Sequence, residues 1–230
     1  SSSLAEGTTK IMKQKFFFLF DKNRKSQNFK KNILKKFSNN SPKNATHFVV
    51  AGGDGFMLSI LKKYYKYNKP FYGVNCGTFG FLMNNLNVRN FGDKIKKAKK
   101  ISINPLEFKT KSKGKYVKKI IAINEISLFR QSKQTASLTL KVGNKIIIKR
   151  LIGDGILVSS PAGSTAYNLS VNGPILSLDS GKLAITPISP FRPRRWKGKI
   201  ISNKSKVSIK NLDFKKRPVA AVADNVEFRN

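Results

Sequence analysis

The sequence predicts an α/β N-terminal domain built on a parallel sheet, followed by a β-rich C-terminal domain. Three observations carry this expectation. Up to about residue 100, short apolar runs alternate with amphipathic helical stretches, the pattern of parallel βαβ units. After Ile101 the runs become alternating or β-branched and are broken by turn residues. Gly-rich segments fall where the early strands end, and open α/β sheets bind ligands beyond those ends.

Each element has its own warrant. Lys15–Phe20 is a short apolar run and reads as a buried strand. Ser26 is placed to cap a helix running to about Phe37, with Phe29, Ile33, Leu34 and Phe37 on one face. Thr46–Ala51 is a second buried strand, ending at Gly52-Gly53-Asp54-Gly55. Phe56–Tyr67 carries Met57, Ile60, Leu61 and Tyr64 at helical spacing. Pro70–Asn75 is a third strand, and Val88–Lys100 a basic amphipathic helix. Ile101–Phe108, Tyr116–Phe129, Ala136–Val142 and Lys145–Leu151 read as strands, with Gly143-Asn144 a hairpin signal between the last two. Ile156–Ser159, Ala184–Ile188, Lys199–Ser202, Val207–Lys210 and Val219–Ala223 continue the series. The domains are expected at 12–100 and 101–230, with a soft boundary and with the last residues able to return to the first domain.

Composition removes several function classes. The chain has 230 residues, 46 Lys plus Arg, 11 Asp plus Glu, one His and one Cys, with a net charge of +35. At 40% apolar it is an ordinary globular chain. A single cysteine, Cys76, forms no internal disulfide, and one His with one Cys excludes Cys/His zinc sites. The charge invites a nucleic-acid reading. Yet the excess is lysine spread along the whole chain, and the runs Lys94–Lys100 and Lys109–Lys119 lack regular aromatic interleaving. A lysine-rich solvated surface accounts for it better. The longest early apolar cluster, Phe16–Phe20, is too short for a signal-peptide core or a spanning helix. Neither a membrane nor a specific nucleic acid is expected as partner, and the cytoplasm is the expected location. Ser1–Ile11 is small and polar, precedes Met12-Lys13, and is set aside as an expression remnant.

Acid–base chemistry therefore falls to the carboxylates. Asp54 and Asp154 each lie between glycines after an apolar run, Glu125 follows Asn124, and Asp224 follows Val219–Ala223. A single Asp-Gly is most simply a turn. Gly52–Gly55 is different because it opens a helix, where glycines let backbone N–H groups approach phosphate oxygens. A carboxylate in such a loop repels phosphate unless it holds a metal or contacts the accepting hydroxyl, which suits phosphoryl transfer. There is no G-x-x-x-x-G-K-[ST], and Leu58 stands where a dinucleotide fingerprint needs its third glycine. Gly153 to Ser170 enters a Pro161-Ala162-Gly163 turn, after which Ser164 is placed to cap a short helix carrying Thr165, Tyr167 and Ser170. Those hydroxyls and the aromatic ring suit a sugar and a base, and equally an ordinary capped helix.

Together these segments resemble the NAD kinase family. The matching stretches are Gly52-Gly53-Asp54-Gly55, Gly73-Val74-Asn75-Cys76-Gly77-Thr78-Phe79-Gly80-Phe81-Leu82-Met83-Asn84, Asn124-Glu125, and Gly153-Asp154-Gly155 running into Pro161–Tyr167. The Gly-Gly-Asp-Gly loop alone is shared with lipid kinases and 6-phosphofructokinases. Ser189-Pro190-Phe191-Arg192-Pro193-Arg194-Arg195-Trp196 looks like a short bacterial form. The resemblance implies the two-domain fold above and transfer of the ATP γ-phosphoryl group to the adenosine-ribose 2′-hydroxyl of NAD, with Mg²⁺ accompanying ATP. It implies Asp54 as the catalytic residue, and Gly52, Gly53, Gly55, Asn75 and Phe81 around the nucleotide phosphates. Asn124, Glu125, Asp154, Ser164, Thr165, Ala166, Tyr167, Ser170 and Ser189 would contact NAD, Asn124 near adenine and some of them across a subunit interface. No protein residue is assigned to the metal, and a homodimer or homotetramer is implied.

The chain departs from the family pattern in two places. Ala223-Asp224-Asn225-Val226 stands where many relatives carry a Cys-Asp-Gly-Gln-like segment, which leaves the role of Asp224 open. Cys76 occupies a Gly-x-Asn-x-Gly position and reads as a small buried residue. The alternatives are a diacylglycerol or lipid kinase using the same loop, and a basic nucleic-acid-binding protein on a degenerate kinase fold.

Overall fold

The computed structural model describes residues 14–78, 80–86, 88–112 and 115–229, with 111–112 and 115–118 described by their backbone alone. Ser1–Ile11 and Phe79 lie outside the described residues. The chain divides into two compact units, Ser1–Lys100 and Ile101–Asn230.

In the first unit, strands β1 (Phe16–Phe20), β2 (His47–Gly52) and β3 (Phe71–Asn75) form one parallel sheet in the order β1-β2-β3. Central β2 is buried from Phe48 to Gly52, as a strand covered on both faces must be. Alternation divides its side chains. Val49 and Ala51 join Phe16, Phe18 and Val74 under helices α1 (Arg24–Ile33) and α3 (Phe91–Lys97). Val50 packs on Met57 and Ile60 of helix α2 (Asp54–Tyr64). Phe91 is the aromatic hub of the first face, in ring contact with Phe16, Phe18, Phe29, Phe37 and Tyr72. Burying each such side chain contributes about 1.5–3 kcal/mol.

The helix boundaries differ from expectation for local reasons. Asn23, not Ser26, caps α1, its Oδ1 accepting the Ser26 N–H at 2.9 Å. Ser26 lies inside the first turn, fully buried, and its hydroxyl donates to the Ala51 carbonyl at 2.7 Å. The helix ends at Ile33, and Lys36 and Phe37 follow in a turn bonded to the Ile33 carbonyl. Helix α2 begins at Asp54 itself and passes into a 3₁₀ turn at Tyr65–Tyr67. Helix α3 is shorter than the expected 88–100: Asn90 is left-handed at φ 54° and Ala98 is extended.

The second unit holds β4 (Leu106–Ser112), β5 (Lys115–Ala122), β6 (Glu125–Arg130), β7 (Ala136–Val142), β8 (Lys145–Gly153) and β9 (Gly155–Ser159). The short helix α4 (Tyr167–Ser170) follows, then β10 (Lys182–Ile188), β11 (Lys199–Ser202), β12 (Val207–Asn211), β13 (Val219–Ala223) and β14 (Val226–Phe228). The main sheet runs β11-β10-β9-β6-β13-β14, beside a three-stranded sheet β12-β7-β8 and the pair β4-β5. Leu138, Leu140, Leu151, Ile156 and Ile185 are fully buried in one core cluster fed by the two larger sheets.

Three strand expectations are corrected. Residues 101–105 are not strand; Pro105 offers no N–H and restricts Asn104 before it, so β4 opens at Leu106. The run 116–129 is two strands, because the N–H groups of Ile123, Asn124 and Glu125 go to the Asp224 carboxylate. Strand β14 goes unanticipated; it forms a two-residue turn with β13 over Asp224-Asn225. The β7–β8 hairpin turns at Gly143-Asn144 as expected, with Gly143 at φ +57°. No described helix is long and apolar enough to cross a membrane.

Candidate active site

At the carboxyl ends of the parallel strands, β2 runs through Gly52 directly into α2. The three glycines of this loop have different reasons to be glycine. A Cβ on Gly52 would lie 2.7 Å from the Phe56 ring and 3.1 Å from Asp21, so packing explains it. Among the described residues, a Cβ on Gly53 or Gly55 would meet nothing within 4 Å, and Gly53 has an ordinary extended backbone at φ −106°. Neither packing nor conformation inside the chain asks for glycine at these two positions. The open space suits a close approach of something outside the chain.

Asp54 sits between them as the first residue of α2, where a negative charge is favoured by the helix N-terminus. Its Oδ2 accepts the Phe81 N–H at 2.8 Å and its Oδ1 the Leu82 N–H at 3.1 Å. A carboxylate has about four acceptor positions, so two remain for a ligand. The Phe81 ring is exposed. Asn75 ends β3, and its Oδ1 accepts the Gly77 N–H at 2.9 Å, shaping the next turn of the same rim. Cys76 is buried behind that rim; burial pushes its thiol up, consistent with a packing residue and not a nucleophile.

In the second unit, Asn124 and Glu125 form the junction between β5 and β6. The Asn124 carbonyl accepts the Ser160 N–H at 2.8 Å, and a Cβ on Gly163 would lie 2.3 Å from that same oxygen. Gly163 is glycine because the Pro161–Gly163 turn presses on the Asn124 backbone. Glu125 Oε2 is buried without a hydrogen-bond partner among the described residues. Burial, and then the neighbouring Asp224 charge, push the Glu125 carboxyl up to about 7. An oxygen left in that state asks for a donor from a ligand.

An open cleft of about 740 Å³ brings Asp154, Tyr167 and Ser189 together with Phe129, Arg130 and Lys133. The Tyr167 and Phe129 rings lie 5.6 Å apart, and burial, then Asp154 and Glu125, raise the tyrosine hydroxyl. The Asp154 carboxylate pairs with the Arg130 guanidinium. Its flanking glycines are structural: a Cβ on Gly155 would lie 1.9 Å from the Leu128 carbonyl and one on Gly153 2.9 Å from that of Ser189. Ser189 is left-handed at φ 44°.

Ser164 does not cap α4; Ala166 stands there without a side-chain cap. The Ser164 hydroxyl is fully buried, donates to the Pro161 carbonyl at 2.7 Å and accepts the Leu176 N–H at 3.0 Å. Asn168 completes this knot, donating to the Ser164 and Pro174 carbonyls and accepting the Thr186 hydroxyl at 2.7 Å. The knot fixes the turn presenting Thr165, Ala166 and Tyr167, which are partly exposed, with Ser170 exposed at the end of α4. Sequence reasoning missed Phe129, Arg130 and the contact of Asp224, because no local pattern marks them.

A glycine-flanked carboxylate on a βα turn, in a chain that also carries a β-rich unit with a half-buried Asn-Glu junction, suits a phosphotransferase. The family models for the ATP-NAD kinase N-terminal and C-terminal domains match residues 3–100 and 123–228. The chain is 40% identical over 213 residues to the NAD kinase of Brucella suis biovar 1, covering 93% of this chain and 83% of the relative. It is 45% identical over 199 residues to the NAD kinase of Zymomonas mobilis, covering 85% and 77%. Among solved structures it resembles a yeast NADH kinase complexed with NADH, at TM-score 0.70 and 25% identity, covering 80% of this chain and 55% of that one. The fold is also that of an Archaeoglobus fulgidus NAD kinase in complex with ATP, at TM-score 0.71 and 23% identity over 94% of this chain and 87% of that one. The chain belongs to the NAD kinase family.

Proposed function

We propose that this chain transfers the γ-phosphoryl group of ATP to the 2′-hydroxyl of the adenosine ribose of NAD, making NADP. The observation that carries the reading is the empty space over Gly53 and Gly55, on either side of a carboxylate pinned by two backbone N–H groups. Phosphoryl transfer needs positioning and charge neutralisation more than covalent chemistry. Asp54 orients the 2′-hydroxyl and takes its proton late, worth about 10²–10⁴ in rate. Gly53 and Gly55 leave room for phosphate oxygens near backbone N–H groups, with Gly52, Asn75 and Phe81 on the same rim. In the second unit, Asn124 and Glu125 hold the nucleoside, Glu125 Oε2 accepting from a ribose hydroxyl. Asp154, Tyr167 and Ser189 line the dinucleotide cleft; Ser164, Thr165, Ala166 and Ser170 belong to the turn beside it.

Mg²⁺ accompanying ATP would offset the triphosphate charge. Among the described residues no group of three or more His, Cys, Asp or Glu gathers to hold a metal. In kinases Mg²⁺ is usually held by substrate phosphates together with one or two carboxylates. The relatives named above support NAD and ATP as substrates. The resemblance to their family also supports a homodimer or homotetramer in the cytoplasm, with neither a membrane nor a specific nucleic acid as partner.

The test is NADP formation from NAD, ATP and Mg²⁺ by the purified chain, coupled to an NADP-specific dehydrogenase, with diacylglycerol as the competing acceptor. Wild type is expected to turn over NAD, and Asp54→Asn to lose at least a hundredfold while keeping its fold. Activity of Asp54→Asn within a few-fold of wild type overturns the role.

A further inference from the structure

Asp224 lies in the turn between β13 and β14, at a left-handed φ of 52°. Its Oδ2 accepts the Ile123 N–H at 2.9 Å, and its Oδ1 accepts those of Asn124 at 2.8 Å and Glu125 at 3.2 Å. Its own N–H returns a bond to the Glu125 carbonyl at 3.0 Å. The other side of the junction is held equally firmly. The Ser160 hydroxyl donates to the Ile123 carbonyl at 2.6 Å, and the Ser160 N–H to that of Asn124. One carboxylate thus collects three successive backbone donors across about a hundred residues of sequence. Such charge-assisted bonds are among the stronger ones, and they orient the peptide planes they hold. A left-handed backbone is uncommon for a residue other than glycine, and Asp and Asn tolerate it best.

We propose that Asp224 is a positioning residue for dinucleotide binding: its carboxylate clamps the Ile123–Glu125 backbone and so aims the Asn124 and Glu125 side chains at the nucleoside. The inference rests on the reading that Asn124 and Glu125 contact NAD. It gives the departure at Val226 a physical meaning. The loop can change the residue after the turn and keep the clamp, because the clamp needs only the aspartate and its backbone conformation. Asp224 also acts as a fixed charge beside Glu125. The charged and titratable groups around that carboxyl are Asp224, Tyr167 and, through Tyr167, Asp154.

Asp224→Asn tests the clamp, since Asn accepts the left-handed backbone but turns an amide toward one of the three donors. The expected result is a KM for NAD raised tenfold or more, with the KM for ATP unchanged and kcat within about threefold. The pH profile of kcat/KM for NAD gives a readout that simple destabilisation does not move. Removing the like charge lowers the Glu125 titration, so the limb near pH 7 moves to lower pH. Asp224→Glu keeps the charge but carries it one methylene farther from the donors. It is expected to raise the KM for NAD while leaving that limb near its wild-type place. An unchanged KM for NAD in whichever of these variants melts cooperatively overturns the proposal. Glu125→Gln separates the two layers. If it leaves NAD kinetics untouched, the reading of the junction as an NAD site fails. If it raises the KM for NAD but neither Asp224 variant does, only the clamp fails. In the double variant the two effects should be less than additive, and full additivity also overturns the proposal.

Discussion

Glu125→Gln has a stability signature that can be worked out in advance. The carboxyl titrates near 7 in the folded chain, against an ordinary value of 4.5, because burial and then Asp224 disfavour its charge. Below about pH 4.5 the group is neutral in both the folded and unfolded states, and its ionisation costs folding nothing. As pH rises, the unfolded chain ionises first and gains free energy that the folded chain does not share until about pH 7. Folding stability is therefore lost between 4.5 and 7 and stays lost above. The gap corresponds to about 3 kcal/mol, and discounting for the carboxyl's partial exposure leaves about 2 kcal/mol. Glutamine does not titrate, so the variant escapes this loss. Any constant effect of burying the amide cancels when two pH values are compared. Melting temperatures of both proteins between pH 4 and pH 8.5 provide the assay. The variant should gain on wild type by about 4–8 °C across that range. A difference that stays flat within about 1 °C would refute the argument that Glu125 is held in a desolvated, like-charged setting. Since the same substitution is expected to weaken NAD binding, stability and function should move in opposite directions at pH 8.5.

Gly55→Ala should raise stability by about 0.5–1 kcal/mol, because it lies in α2 with open space over it. It should also cut NADP formation at least tenfold, and retained activity would remove Gly55 from the phosphate rim. Gly163→Ala drives a Cβ to 2.3 Å from the Asn124 carbonyl, so thermal melts should show a loss of about 1–3 kcal/mol or more together with a raised KM for NAD. Asn168→Ala strips partners from the Ser164 and Pro174 carbonyls and the Thr186 hydroxyl. Denaturant titration should show a loss of about 2–4 kcal/mol. In the native protein Cys76 should resist thiol reagents until denaturant is added, since it is buried and its thiol is pushed up.

The amino-acid order alone determined a good deal. Runs such as Phe48–Ala51 must be buried on both faces, so the three parallel strands and the helices that cover them were legible from apolar spacing. The Gly143-Asn144 hairpin was legible from turn chemistry. Other features depend on groups far apart in sequence. Gly-Asp-Gly occurs at 53–55 and again at 153–155, and the helical spacing that follows the first is the local sign that separates them. Only packing shows that Gly155 is wedged against the Leu128 carbonyl while Gly53 and Gly55 face open space. The helix cap passed from Ser26 to Asn23 because the serine hydroxyl is taken by Ala51 of the next strand. The break at Ile123-Asn124 lies inside a continuous β-forming run, and it exists because Asp224 draws off three ladder donors. Sequence fixes periodicity and local backbone preference, whereas the partner of a buried polar group is chosen by the tertiary fold. For that reason Asp54 and Asp224 both stand out along the chain, but what Asp224 holds is seen only by following its hydrogen bonds.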